Sequence, residues 1–147
     1  MGLGVCRMGY SIMNVVIDFY RDNYLNGVNK LLQENFFLVK DNFHSDFFYE
    51  LVALCGGEVV GYTLLTKVYD PIKKRNNFYV DYVCVSSNYR RMGIGKMLLN
   101  EAYRIAKSNN ALYLQLTCSR FRMAAHALYL SCNFAKRESD IFRKEII

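Results

Sequence analysis

The sequence predicts an α/β fold: a mixed, largely antiparallel sheet of six or seven strands with helices on both faces. Three observations predict it. Residues 78–85 (FYVDYVCV) are an aromatic and β-branched run that reads as a strand buried on at least one face. The chain then passes through Ser86-Ser87-Asn88-Tyr89 and a glycine turn into an amphipathic pattern carried by Ile94, Met97, Leu98, Ala102, Ile105 and Ala106. Residues 49–55 and 58–66 are two further strand-like runs joined by Gly56-Gly57, the composition of a hairpin turn. Residues 111–117 return as a strand after the helix, which makes a parallel pair with 78–85 through a helical crossover.

The remaining elements follow in order. Residues 1–12 read as a flexible leader, and 13–147 as a single domain. The start Met1-Gly2-Leu3-Gly4-Val5-Cys6 departs from an N-myristoylation signal at its sixth position, where Cys replaces Ser or Thr. Residues 13–20 form a first strand. Asp22-Asn23 can cap a helix whose apolar face is Leu25, Val28, Leu31 and Leu32, with Asn35 near its end. Residues 36–48 mix aromatics with turn-forming polar residues and suggest a short, irregular helix, a candidate lid. The only proline, Pro71, sits in a basic surface loop over 70–77. The central helix stops at Ser108-Asn109-Asn110, and another helix covers 120–131. Asn133 suits a left-handed turn after it, and 134–138 and 141–146 read as a last pair of strands.

At 147 residues, with 52% hydrophobic and 22% charged, the chain is globular and about one domain in size, and no apolar run is long enough to cross a bilayer. No membrane association is expected. Cys6, Cys55, Cys84, Cys118 and Cys132 are odd in number and contain no C-x-x-C pair, which argues against a disulfide framework or zinc site and for a reducing, cytoplasmic location. The net charge of +6 is uneven. Residues 14–60 carry −4, from three basic and seven acidic residues, whereas 61–147 carry +9, from fifteen basic and six acidic ones. A basic half suits nucleic acid or a polyanionic small molecule, or is simply a solvated surface.

The turn after the central strand, Arg90-Arg91-Met92-Gly93-Ile94-Gly95-Lys96, is the strongest motif. Its glycines let the backbone approach a ligand, and the N–H groups that open the helix can point at an anion, aided by the helix dipole. Walker and dinucleotide loops do not fit, since there is no Gly-Lys-Ser/Thr ending and no third glycine. The spacing Arg90-x-x-Gly93-x-Gly95 after a valine-rich strand resembles the signature of the GNAT superfamily of acyl-CoA-dependent N-acyltransferases, whose loop holds the CoA pyrophosphate. Downstream, Arg122-x-x-Ala125-His126-x-x-Tyr129 followed by Asn133-Phe134 is similar to the family's Asn/Arg-x-x-Ala-x-x-x-Tyr helix closing in Gly-Phe, with Asn in the glycine's place. The resemblance covers residues 13–147. It implies a GNAT-like fold, acetyl-CoA as acyl-donor substrate without a metal, and acetyl transfer by direct attack of an amine borne by a small molecule or a protein.

The resemblance also implies roles. The backbone of Val83, Cys84 and Val85 would bond the pantetheine arm. Arg90 and the amides of Arg91, Met92, Gly93, Ile94, Gly95 and Lys96 would hold the pyrophosphate, Arg122 would reach the cofactor, and Tyr129 would protonate the CoA thiolate. Read without it, Tyr129 is an aromatic packed beside Ala125 and Cys132, and Arg122 a surface arginine beside Arg120. Asp81 is the best general-base candidate from the residues alone. It is the one acid on the central strand, and strict alternation puts it on the same face as Tyr79 and Val83. The carboxylate of some relatives falls at Tyr79, so a tyrosine acting through water, or bulk solvent, stays open as the base.

His44 and His126 lack a metal-ligand spacing and read as structural, and Cys84 as a small buried residue without a His partner. Asp41, Asp46 and Glu50 in the acidic segment suggest a cationic acceptor. Two rivals to the enzyme are a non-catalytic acyl-CoA-binding module and a basic nucleic-acid-binding domain. The second is disfavoured because the aromatics are spread through strands and form no stacking platform.

Overall fold

The computed structural model describes the backbone of residues 3–8 and 11–147, and side chains from residue 14 onward. Among these residues six strands form one sheet in chain order: β1 Leu3–Met8, β2 Ser11–Phe19, β3 Phe48–Cys55, β4 Glu58–Asp70, β5 Arg75–Val85 and β6 Leu114–Leu116. Neighbours are antiparallel except β5 and β6, which run parallel with Phe78 opposite Leu114 and Val80 opposite Leu116. The helices are α1 Leu25–Phe36, α2 Ile94–Ser108 and α3 Met123–Ser131. The chain divides into two compact units, Met1–Thr117 with the sheet, α1 and α2, and Cys118–Ile147 with α3.

Register decides which helix covers which face. Val52 lies opposite Tyr62, and Tyr62 opposite Cys84. This cross-strand row packs against Val28, Leu31 and Leu32, so α1 lies on its face of the sheet. The adjacent row, Ala53 opposite Gly61, points the other way. A Cβ built on Gly61 would stand 3.1 Å from Ala53 Cβ, Ile94 Cγ2 and Leu98 Cδ1, so α2 lies on the second face and glycine is what lets it come that close. The helices thus bury opposite faces of one sheet, as expected. The apolar stripe of α2 delivers Ile94, Leu98, Leu99, Ala102, Ile105 and Ala106 to the core.

Several expectations need correction. Residues 3–8, read as part of a flexible leader, are β1, laddered against β2 from Leu3 opposite Val16 to Met8 opposite Ser11. Asp22 and Asn23 fall in a 3₁₀ turn that precedes α1, and the start of α1 has no side-chain cap. The loop around Pro71 shrinks to a turn over 71–74, because Asp70 Oδ1 accepts the N–H groups of Ile72 and Lys73 at 2.9 and 3.0 Å and lets both strands run further. No helix forms over 38–47. Phe37 turns left-handed at φ 57°, and the N–H groups of Phe37 and Leu38 close the end of α1 on the carbonyls of Gln33 and Leu32. Residues 134–147 hold neither helix nor strand. Their alternation of apolar and charged residues has no partner ladder to join, and Phe142 and Ile146 are each 94% exposed. The left-handed turn expected at Asn133 is there, with φ 65°.

Gly61→Val should cost roughly 1–3 kcal/mol by overpacking between β3 and α2. Urea unfolding would measure it, and an unchanged midpoint would refute the close approach of α2 at this point.

Candidate active site

The strand–turn–helix unit places an unpaired row of donors at the end of β5. Gly93 is the N-cap of α2 in a left-handed conformation, φ 82° and ψ 8°, which glycine adopts without strain. The N–H of Met97 makes the first helical bond, 3.0 Å to the Gly93 carbonyl, so those of Ile94, Gly95 and Lys96 have no acceptor within the helix. No side chain caps them. A Cβ built on Gly93 meets nothing within 4 Å, so the cradle opens on free space. Together with the helix dipole, these amides suit a pyrophosphate.

Arg90 is largely committed elsewhere. Its Nε donates to the Val85 carbonyl at 3.2 Å and its Nη2 to Asn35 Oδ1 at 2.9 Å, with Glu34 Oε1 at 4.0 Å. Glu34 Oε1 also accepts the Ser87 N–H at 3.1 Å. Hydrogen bonding by Ser87 holds the Glu34 carboxyl below its ordinary range, with smaller help from Arg90 and Lys30. The arginine of the motif therefore ties the end of α1 to the loop.

The β4–β5 ladder breaks just before this loop. Tyr62 pairs with Cys84 and Leu64 with Asp81, so Tyr82-Val83 together oppose Thr63. Tyr82 takes φ 57° at this bulge, and its ring meets Phe36 edge-on at 5.4 Å. Thr63 Oγ1 donates to the Asp81 carbonyl at 3.1 Å. The bulge corrects the alternation reading: Asp81 shares a face with Tyr79 and Cys84, while Val83 is shifted out of step. Cys84 is buried, and that burial pushes its thiol up to about 12, so it stays protonated and unreactive.

On the α1 face, beside the short β6, a cleft of about 280 Å³ is lined by Thr66, Tyr79, Val80, Asp81, Gln115, Leu116 and Thr117. Asp81 is exposed in it. The Tyr79 and Tyr113 hydroxyls lie 3.2 Å apart, and that contact raises the Tyr79 phenol above its usual range.

In the second unit, Tyr129 is 9% exposed on α3, with its ring edge-on to Phe134 at 6.1 Å. Burial raises its phenol, with Cys118 adding and Arg122 opposing, so the hydroxyl remains a donor at neutral pH. Arg122 is the exposed N-cap of α3. The histidines behave as structural ones. His44 Nε2 lies 2.8 Å from Asp22 Oδ1, and His126 Nε2 2.8 Å from the Ser119 carbonyl. Among the described residues no three His, Cys, Asp or Glu side chains are grouped to hold a metal, and no helix is long and apolar enough to cross a membrane.

Sequence reasoning missed a buried polar cluster. Glu50 is paired with Lys40 at 3.2 Å and accepts the Tyr62 hydroxyl at 2.6 Å. The signal was there in part, as Glu50 alternates with Leu51 on a strand, but its partner lies ten residues upstream in an irregular segment. Of the three acids expected to attract a cation, Glu50 is already paired with Lys40, whereas Asp41 and Asp46 have no such pair among the described residues.

Comparison with known proteins shows the family and the fold. The family model described as Acetyltransferase (GNAT) family matches residues 10–134. Rat N-acetyltransferase family 8 member 3 is 33% identical over 85 residues, 58% of this chain and 37% of that protein. Rat N-acetyltransferase 8F1 is 32% identical over 95 residues, 65% and 42% respectively. The chain spans about two fifths of the length of these curated relatives. The fold is shared with an aminoglycoside acetyltransferase from an uncultured soil metagenomic sample, at TM-score 0.80, 18% identity and coverage of 90% and 96% of the two chains. It is also shared with the ribosomal-protein-alanine N-acetyltransferase of Brucella melitensis, at TM-score 0.76, 19% identity and coverage of 89% and 99%. A third, AAC(6')-Iy in complex with a CoA-based bisubstrate analogue, has TM-score 0.78 at 14% identity and coverage of 90% and 99%.

Glu34 generates a pH prediction. Because its folded value is lowered, its contribution to stability is full above the ordinary glutamate range and fades as pH falls through the lowered value. Glu34→Gln should therefore be slightly less stable than wild type at pH 7, and the gap should close at a second, acidic pH below the lowered value. The effect is small because the pair is partly solvated. Urea midpoints at the two pH values check it, and a gap that widens in acid would refute the assignment.

Proposed function

The chain belongs to the acetyltransferase (GNAT) family, and from that premise we propose that it transfers an acetyl group from acetyl-CoA to a primary amine by direct attack. The observation that carries this reading is the uncapped start of α2 behind the left-handed Gly93. Amides of Arg91, Met92, Gly93, Ile94, Gly95 and Lys96 hold the pyrophosphate, and the positive charge of the second half of the chain supports the remaining phosphates. The backbone of Val83, Cys84 and Val85, next to the bulge, bonds the pantetheine arm and polarises the acyl carbonyl.

Asp81 accepts the proton of the attacking amine from its position in the cleft. Tyr129, kept protonated by burial, donates to the departing thiolate, and Arg122 supplies a cation to the cofactor. The buried thiol of Cys84 argues against a covalent acyl-enzyme and for direct transfer. The names of the structural neighbours, an aminoglycoside acetyltransferase and a ribosomal-protein-alanine N-acetyltransferase, are consistent with an amine acceptor here. Transfer in the cytoplasm is part of the same proposal.

Gly93→Asp should abolish acetyl-CoA binding in isothermal titration, since it strains the left-handed cap and puts a negative charge where the phosphate lies. Retained binding would remove the α2 cradle from the reading. Tyr129→Phe should lower kcat by roughly 10²-fold or more, the usual scale of a lost general acid, while leaving CoA affinity nearly unchanged. An unaltered rate would reduce Tyr129 to packing.

A further inference from the structure

One buried cluster on the α1 face has no part in the machinery above. Lys40 belongs to the irregular segment between α1 and β3, yet its side chain is only 14% exposed. Its Nζ stands 3.2 Å from Glu50 Oε1 and 3.8 Å from the centroid of the Tyr20 ring. Glu50, 7% exposed, also holds the Tyr62 hydroxyl at 2.6 Å. A carboxylate withdrawn from water beside an aromatic face is the chemistry that recognises an alkylammonium ion.

Two features separate the receptor from its occupant. The anionic and aromatic half comes from the sheet: Tyr20 directly follows β2, with its N–H on the Glu50 carbonyl at 2.9 Å, and Glu50 and Tyr62 lie on β3 and β4. The cation arrives on a segment without helix or strand. That segment is fastened by Lys40 N–H to Asn29 Oδ1 at 2.8 Å, by the Tyr20 hydroxyl on Asn42 Oδ1 at 2.7 Å and by His44 Nε2 at 2.8 Å from Asp22 Oδ1. In addition, the ammonium makes no well-directed hydrogen bond among the described residues despite its three donors.

The cluster is also well placed. Glu50 is opposite Leu64, and Leu64 is opposite Asp81, so both carboxylates stand in one cross-strand row on one face. Two strand spacings put their backbones roughly 10 Å apart. We infer that Tyr20, Glu50 and Tyr62 form a binding site for a primary aliphatic ammonium group, that Lys40 is its internal occupant, and that one ammonium of a di- or polyamine acceptor takes the place of Lys40 while its other nitrogen reacts near Asp81. The part concerning the acceptor rests on the acetyltransferase reading.

Thermal unfolding tests the site without turnover. Lys40→Ala leaves the Glu50 carboxylate without its cation, and n-butylammonium chloride should raise its Tm above the rise given by sodium chloride at equal ionic strength. It should not do so for wild type or for Lys40→Ala/Glu50→Gln. Lys40→Met, which keeps the bulk of the side chain, serves if the alanine variant does not fold. Absence of a specific rise in both variants overturns the site. With acetyl-CoA, Lys40→Met should lower the KM for 1,8-diaminooctane several-fold and leave that for n-octylamine unchanged, and equal effects on both would overturn the acceptor assignment. Specific stabilisation without acetylation of any amine by wild type or variant would uphold the ammonium site and overturn the acetyltransferase reading.

Discussion

The register break between β4 and β5 is the constraint on which the site depends. An extra residue in β5, taken up by Tyr82 at φ 57°, lets Asp81 pair with Leu64 while Cys84 still pairs with Tyr62. Without it, Cys84 and Asp81 would fall on opposite faces, and either the buried row under α1 or the cleft-lining carboxylate would be lost. Tyr82 is neither glycine nor asparagine, so the conformation carries strain, of order 1 kcal/mol or more, that the surrounding pairing must hold. Thr63 on the Asp81 carbonyl and the Phe36 ring against Tyr82 are the contacts that do so.

The sheet was legible in the sequence wherever local chemistry and packing agree. The Gly56-Gly57 hairpin, the parallel β5–β6 pair and the apolar stripe of α2 all follow from period and turn residues. The left-handed entry into α2 was legible because a glycine stands where the chain makes that turn. The bulge was not, since Tyr82 carries no mark of the φ it adopts. Residues 134–146 failed for the opposite reason: alternation was present, but a strand is a pairing and no ladder reaches them. Arg90 illustrates a third case, in which the motif was read from spacing while the side chain went to Asn35 and the Val85 carbonyl.

Segment charge proved a blunt guide. The −4 of residues 14–60 counts Glu50 as if it faced solvent, yet Glu50 is buried against Lys40. A buried ion pair of this sort is weak ground for a stability argument, because desolvation offsets much of the attraction. Its interest is in specificity. A hydrophobic replacement would fill the same space, so the carboxylate and aromatic face set against the Lys40 ammonium are what the proposed cation site rests on.

Protonation states bear on how the acyl group would move. A covalent route needs a nucleophile that is deprotonated near neutral pH. The thiol beside the bulge, Cys84, is held up to about 12 by burial, and the phenols of Tyr62 and Tyr129 are raised by the same cause. Burial therefore makes these groups into proton donors and removes them as nucleophiles. The carboxylate that lines the cleft, Asp81, is by contrast exposed. The direct attack proposed above therefore needs no acyl carrier at Cys84, Tyr62 or Tyr129.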